Sequence, residues 1–191
     1  MNALTLEQRK ARNRGRWTLV ALFGLFFGAM ALAGILRFTG WEPAAHRNTG
    51  QMIQPHRDVR ALPPTLADGQ PYPWKSETPV WRILVAPAAH CAAECVTLSQ
   101  DLAKVWQLFG HRADNVQILW LGTPPAEVQS LPALRALQPQ PELRAALPGV
   151  DDPAGTPVYV IDPHGFVVMR YAPGFELAGL RKDMATLLKL K

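Results

Sequence analysis

Trp81-Arg-Ile-Leu-Val-Ala-Pro-Ala-Ala-His-Cys-Ala-Ala-Glu-Cys95 opens the stretch whose reading decides the fold, and that stretch runs on to Val116-Gln-Ile-Leu-Trp-Leu121. Trp81 to Ala86 is a short apolar run ended by Pro87, and Val116 to Leu121 is a second, ended by Gly122 and Pro124. Both have the length and the branched, aromatic content of interior strands. Between them Cys95, Leu98, Leu102, Val105 and Phe109 recur at helical spacing and stop at Gly110, which predicts an amphipathic helix with one buried face. Strand, helix and strand in that order imply a right-handed crossover between parallel neighbours.

Downstream, Pro132, Pro139 and Pro141 interrupt Leu131 to Leu147, so only short helical pieces are expected there. Val158-Tyr-Val-Ile161 and Phe166-Val-Val-Met-Arg-Tyr171 are two further strands, joined by Asp162-Pro-His-Gly165. Proline second and glycine fourth suit a type I turn and hence an antiparallel hairpin. A final helix puts Leu177, Leu180, Met184, Leu187 and Leu188 on one face. The order β-α-β, insert, β-β-α is the thioredoxin arrangement: an α/β fold with a central mixed sheet flanked by helices, expected over residues 79–191. Residues 39–78 are rich in proline without an apolar periodicity and read as a tether and domain edge. Within them, Leu62 to Gln70 fits a short strand with an Asp-Gly turn.

Charge is distributed unevenly. Of 20 basic and 15 acidic residues, six basic ones (Arg9, Lys10, Arg12, Arg14, Arg16 and Arg37) and one acid, Glu7, lie before Trp41. The remainder balances, with no basic stripe, which argues against nucleic acid as a partner. Trp17 to Leu36 is a run of twenty residues without a charge, long enough to cross a bilayer as a helix. Residues 1–16 then form a basic tail and 17–38 a transmembrane helix. The basic flank predicts a single-pass protein of the bacterial inner membrane, N-terminus in the cytoplasm and domain in the periplasm, with lipid as one partner. A cleaved signal peptide is the competing reading, since Ala31-Leu-Ala33 has the form of a cleavage site.

The chain has two cysteines, Cys91 and Cys95, at the junction of strand and helix. A helix N-terminus stabilises a thiolate there. Were both on one helical turn, their Cβ atoms would be about 5–6 Å apart, wider than a disulfide wants, so a bridge requires local unwinding and is expected to be reducible. The spacing equally suits two soft ligands to Cu(I); a static disulfide or two inert thiols are the plain alternatives. His90 is placed to depress the Cys91 pKa, to ligate a metal with Cys91 and Cys95, or to be a solvated loop residue. Pro157, in Thr156-Pro157 ahead of the third strand, stands where a cis-proline loop would face the dithiol, or is a trans proline that starts the strand. Glu94 reads as exposed or as a proton acceptor, and His164 as surface.

Ala89-His-Cys91-Ala-Ala-Glu-Cys95 together with Tyr159-Val-Ile-Asp-Pro-His-Gly165 resembles the SCO branch of the thioredoxin superfamily. The likeness extends to small SCO-like transmembrane proteins, through Asn48 to Pro55, Cys91 to Cys95 and Tyr159 to Arg170. The resemblance implies a membrane-tethered assembly factor for cytochrome c oxidase. It would reduce thiols or handle Cu(I) through Cys91 and Cys95, with an oxidase subunit or another copper or thiol protein as client. In SCO proteins a histidine shortly before the third strand completes the copper site, whereas this chain has none between Gly149 and Val160. A general periplasmic thiol-disulfide oxidoreductase and a non-catalytic docking module with a structural disulfide are the two other functions compatible with the residues.

Overall fold

A computed structural model describes residues 6–39, 48–75, 79–88, 91–126 and 131–189. The chain divides into two units, 1–46 and 47–191. The first is built on one helix, α1 (Leu6–Phe38). Its segment Asn13–Phe38, 26 residues of mean hydropathy 2.4, is long and apolar enough to cross a membrane. Trp17, Phe23, Leu25, Phe26 and Met30 stand exposed along it, as suits side chains that face hydrocarbon rather than protein.

The second unit is a six-stranded mixed sheet in the order β1-β6-β5-β2-β3-β4, with β1 Gln51–Asp58, β2 Trp81–Val85, β3 Val116–Leu121, β4 Leu134–Leu137, β5 Val158–Ile161 and β6 Phe166–Tyr171. Helix α2 (Ala93–Gln107) connects β2 to β3, which pair in parallel with Ile83 opposite Ile118. Helix α3 (Pro141–Ala146) follows β4, and α4 (Leu177–Leu187) ends the unit. The period-2 alternation of strand side chains divides the interior in two. Ile83, Val85, Ile118, Trp120, Val158 and Val160 pack with α2 and α4. Leu84, Leu119, Tyr159, Ile161 and Val167 pack on the other face with Val59, Tyr72, Trp74 and Leu143. At the hairpin tip Gly165 donates to the Asp162 carbonyl at φ +92°, a conformation that glycine adopts without penalty.

The structure differs from the sequence reading in three places. The segment read as a tether supplies β1, which pairs antiparallel with β6 through Gln51, Met52, Arg57 and Asp58 and shifts register between Met52 and Arg57, across Pro55. Proline and polar side chains fit an exposed edge strand but leave it without an apolar signature. The interrupted insert holds β4, parallel to β3, whose four residues are too few to show a period. Leu62 to Gln70 makes two isolated bridges, Thr65 with Pro71 and Leu66 with Leu137, in place of a strand.

Two buried polar anchors hold peripheral chain onto the sheet. The Asp183 carboxylate on α4 accepts N–H bonds from Thr49 (2.8 Å) and Gly50 (2.9 Å) and the Tyr171 hydroxyl (2.8 Å). The Arg82 guanidinium on β2, fully buried, binds the Tyr72 hydroxyl and the carbonyls of Asp162 and Trp74. Burial, reinforced by Asp183, raises the Tyr171 pKa above the ordinary tyrosine range, and burial also raises that of Tyr159. The fold therefore keeps these phenols protonated. Their stabilisation is complete below the unfolded tyrosine value of about 10 and is lost as pH climbs beyond it. The urea midpoint is expected to fall above roughly pH 10, and less steeply in Tyr171→Phe. Equal slopes in the two proteins would remove Tyr171 from the account.

Candidate functional site

The chain leaves β2 at Val85 and turns through Pro87 and Ala88, where the Cys91 N–H donates to the Ala88 carbonyl (3.0 Å). Arg144 on α3 steadies this turn by donating to the Pro87 carbonyl (2.8 Å). Cys91 and Cys95 are joined in a disulfide with Cα atoms 5.3 Å apart, within the range such bridges ordinarily span. The two do not share a helical turn. Helix α2 starts at Ala93 with Ala92 as its N-cap, so Cys91 precedes the helix, and the local unwinding that a bridge requires is built into the loop. Cys95 is 4% exposed within the core beneath α2, whereas Cys91 is half-buried. Ala92 contributes no side-chain cap, which leaves the positive end of the α2 dipole without a side-chain oxygen acceptor at its N-cap.

Across from the disulfide, the loop entering β5 presents Thr156. Its hydroxyl donates to Cys91 Sγ (3.1 Å) and accepts the Ala88 N–H (3.2 Å). The Thr156 N–H in turn donates to Glu94 Oε1 (3.3 Å). Gly155 is needed for this approach, because a Cβ there would lie 2.5 Å from Glu94 Oε1 and its φ is +136°. Glu94 is exposed, as expected, but its carboxylate is bound to the loop.

Pro157 is buried beside this loop, and its peptide bond with Thr156 is trans; the cis bond among the described residues is Gln54–Pro55. The cis-proline loop expected at Pro157 is thus absent. Pro157 leads straight into Val158, which pairs with Val85, and it acts as a strand-initiating proline whose missing N–H is not needed by the ladder. The neighbour of the sulfur is Thr156, a residue that carries no signal in the sequence beyond the Thr156-Pro157 dipeptide. Its contact depends on the β2–β5 register, which the sequence does not display. His90 lies outside the described residues, as does His46. His164 is on the surface at the hairpin tip, 72% exposed, and His56 and His111 are exposed. Among the described residues no group of three His, Cys, Asp or Glu side chains gathers to hold a metal ion.

A hydroxyl 3.1 Å from Cys91 Sγ is positioned to stabilise a thiolate on that sulfur once the disulfide opens. Thr156→Val is expected to slow alkylation of reduced Cys91 by iodoacetamide at neutral pH by roughly threefold to tenfold, about the worth of one ordinary hydrogen bond. Thr156→Ser should restore the rate, and unchanged kinetics in the valine variant would show that the contact has no chemical role.

A family profile described as the transmembrane-like, thioredoxin-like, C-terminal domain matches residues 81–191. The chain belongs to that family. The matched segment begins at β2 and includes the disulfide, the Thr156 loop, the hairpin and α4. No curated protein matches the chain in sequence. Among solved structures, copper-bound yeast Sco1 is similar to it with a TM-score of 0.52 and 14% identity, over 68% of this chain and 90% of that one. A SCO1/SenC family lipoprotein from Bacillus anthracis str. Ames is similar with a TM-score of 0.50 and 16% identity, over 71% and 98%. At these identities the likeness establishes the thioredoxin-like fold of the family domain, with its mixed sheet and flanking helices.

Proposed function

We propose that this chain is a membrane-tethered thiol-disulfide exchange protein acting in the assembly of cytochrome c oxidase, with Cys91 as attacking and Cys95 as resolving thiol. The observation that carries this reading is the asymmetry of the pair: a half-buried cysteine whose sulfur is held against the Thr156 hydroxyl, joined to a cysteine in the core. In the reduced protein the Cys91 thiolate attacks a client disulfide. The client S–S bond breaks, a Cys91–client disulfide forms, and one client sulfur leaves as thiolate. Cys95, as thiolate, then attacks Cys91 Sγ, closing the internal disulfide and releasing the second client sulfur. The client gains two electrons, which a dithiol donor must restore to Cys91 and Cys95. The oxidase as setting rests on the SCO-like motifs and on the SCO-type folds to which the domain is similar.

Copper would be cargo to such a protein. Two thiolates at Cys91 and Cys95 fit Cu(I), a soft ion content with few sulfur ligands, but the imidazole set that Cu(II) favours is missing from the described residues, leaving His90 as the one histidine adjacent in sequence. The basic flank of α1 directs the domain to the periplasmic face of the bacterial inner membrane.

One labelling experiment tests chemistry and placement together. Spheroplasts carrying the full chain are treated with a range of thiol-disulfide redox buffers and then with a membrane-impermeant maleimide. Cys91 should become labelled under reducing buffer without lysis, with Cys95 protected by its burial, and protection of Cys91 should return under oxidising buffer. Labelling only after lysis would overturn the orientation. A pair that resists reduction well below the glutathione potential would mean a structural disulfide.

A further inference from the structure

Beside the disulfide a groove of about 220 Å³ runs between α2 and the loop ahead of α4. At its near end are Thr156, whose hydroxyl touches the Cys91 sulfur, and Glu94, which accepts the Thr156 N–H. Leu98, Phe175 and Leu177 are apolar lining residues, and Asp101 is an acidic one. On α2 the lining residues Glu94, Leu98 and Asp101 stand at i, i+4 and i+7, one face of the helix. Along α2 the lining is thus an acid, then Thr97 and Leu98, then a second acid.

We infer that this groove selects clients: it takes an extended polypeptide segment that presents an apolar side chain and a lysine or arginine close to its reactive cysteine. The inference rests on the thiol-exchange reading above and adds the substrate class. Charge complementarity names the occupant. Glu94 spends one oxygen on the Thr156 N–H, and a carboxylate has further lone pairs to offer a cation. Asp101, 26% exposed, is paired with Lys104 at 3.0 Å, but that lysine is 71% exposed, and a pair open to solvent on the lysine side exchanges partners at little cost. No basic side chain lines the groove among the described residues. Spacing follows from geometry. Seven helical residues place Glu94 and Asp101 roughly 10 Å apart along α2, and an extended client covers that distance in about three residues. With its cysteine on Cys91, at the Glu94 end of the groove, the client's basic residue therefore falls about three to four positions away, and an apolar residue between them lies over Leu98 and Phe175.

The test uses the full chain in detergent micelles with Cys95→Ser, so that Cys91 is the one thiol. The probes are two synthetic peptides of sequence Cys-Leu-Ser-Lys and Cys-Leu-Ser-Glu, capped at both ends, each activated as the mixed disulfide with 5-thio-2-nitrobenzoate. The Cys91 thiolate attacks the peptide sulfur, forming the Cys91–peptide disulfide and expelling the yellow nitrothiophenolate, so no other oxidant is needed. The lysine peptide is expected to react roughly tenfold faster than the glutamate peptide at low salt, within the range of electrostatic steering. The ratio should shrink at high salt and collapse towards one in Asp101→Lys, while Phe175→Ser should slow both peptides. Bis(2-hydroxyethyl) disulfide, small and uncharged, reports on Cys91 itself. Reaction with that reagent and equal rates for the two peptides would overturn the groove and leave thiol exchange standing. Failure with all three reagents would overturn the exchange reading, and the groove with it.

Discussion

Cys95→Ser is expected to accumulate a covalent complex between Cys91 and its client in membranes, while Cys91→Ser forms none and abolishes turnover. The asymmetry follows from burial. Cys95 is 4% exposed and Cys91 half-buried, so a client disulfide can reach only the latter without opening α2. Removing the resolving thiol leaves the first exchange step intact and blocks the second, which arrests the reaction at the mixed disulfide. Removing Cys91 leaves a thiol that lies in the core, in the setting where cysteines are inert. Loss of turnover by about a thousandfold or more is expected for either variant, the scale seen when one member of a catalytic unit is removed. Non-reducing electrophoresis of membranes quenched in acid reads the complex directly, and mass spectrometry of the trapped partner tests whether it is an oxidase assembly client. A Cys91→Ser variant that traps clients through Cys95 would reverse the assignment, and wild-type turnover in both variants would remove the dithiol from the function.

Arg82→Ala should be the most damaging substitution outside the cysteines. The side chain is fully buried in β2, and its hydrogen bonds go to the Tyr72 hydroxyl (2.9 Å) and to the carbonyls of Asp162 (3.0 Å) and Trp74, with the Tyr72 and Trp74 rings about it. Truncation would strand the Trp74 carbonyl in the interior, take one partner each from the Tyr72 hydroxyl and the Asp162 carbonyl, and open a cavity beside the Tyr72 and Trp74 rings. A buried acceptor left unpaired costs about 1–3 kcal/mol, a sizeable part of the roughly 5–15 kcal/mol that holds a domain together. Urea unfolding of the full chain in mild detergent, followed by tryptophan fluorescence, is expected to show a midpoint lower by roughly 1–3 M, given slopes of about 1–3 kcal/mol per molar. Lysine should recover little, since an ammonium lacks the planar fork that reaches three acceptors at once. Protease cleavage should rise first in the segment 59–74 that Arg82 ties to the sheet. A midpoint within about 0.3 M of wild type, worth less than about 1 kcal/mol, would show that the network is dispensable.

The two anchors mark a limit of sequence reading. Arg82 interrupts an apolar strand and Asp183 sits next to the apolar stripe of α4, and each partners backbone from chain far away: Trp74 and Asp162 for the first, Thr49 and Gly50 for the second. Neither pattern shows a period. The edge strand β1 was hidden for a related reason, since an exposed strand containing Pro55 has no buried face to announce it.

The sequence by itself determined what depends on local order. Apolar runs at Trp81 to Ala86 and Val116 to Leu121, the stripe from Cys95 to Phe109 and the Asp162-Pro-His-Gly165 turn are enough for the β-α-β and β-β-α parts, because period and turn chemistry act between near neighbours. A charge-free run behind a basic cluster is likewise enough for the candidate span of α1. Tertiary structure decided the rest of the site. It put Cys91 before the helix, not on it, made Thr156 the neighbour of its sulfur in place of a cis Pro157, and brought Glu94 onto the Thr156 N–H through the opening at Gly155. These contacts join residues more than sixty positions apart through the β2–β5 register. A side-chain hydrogen bond forms or fails over a few tenths of an ångström, a distance that only the packed sheet fixes.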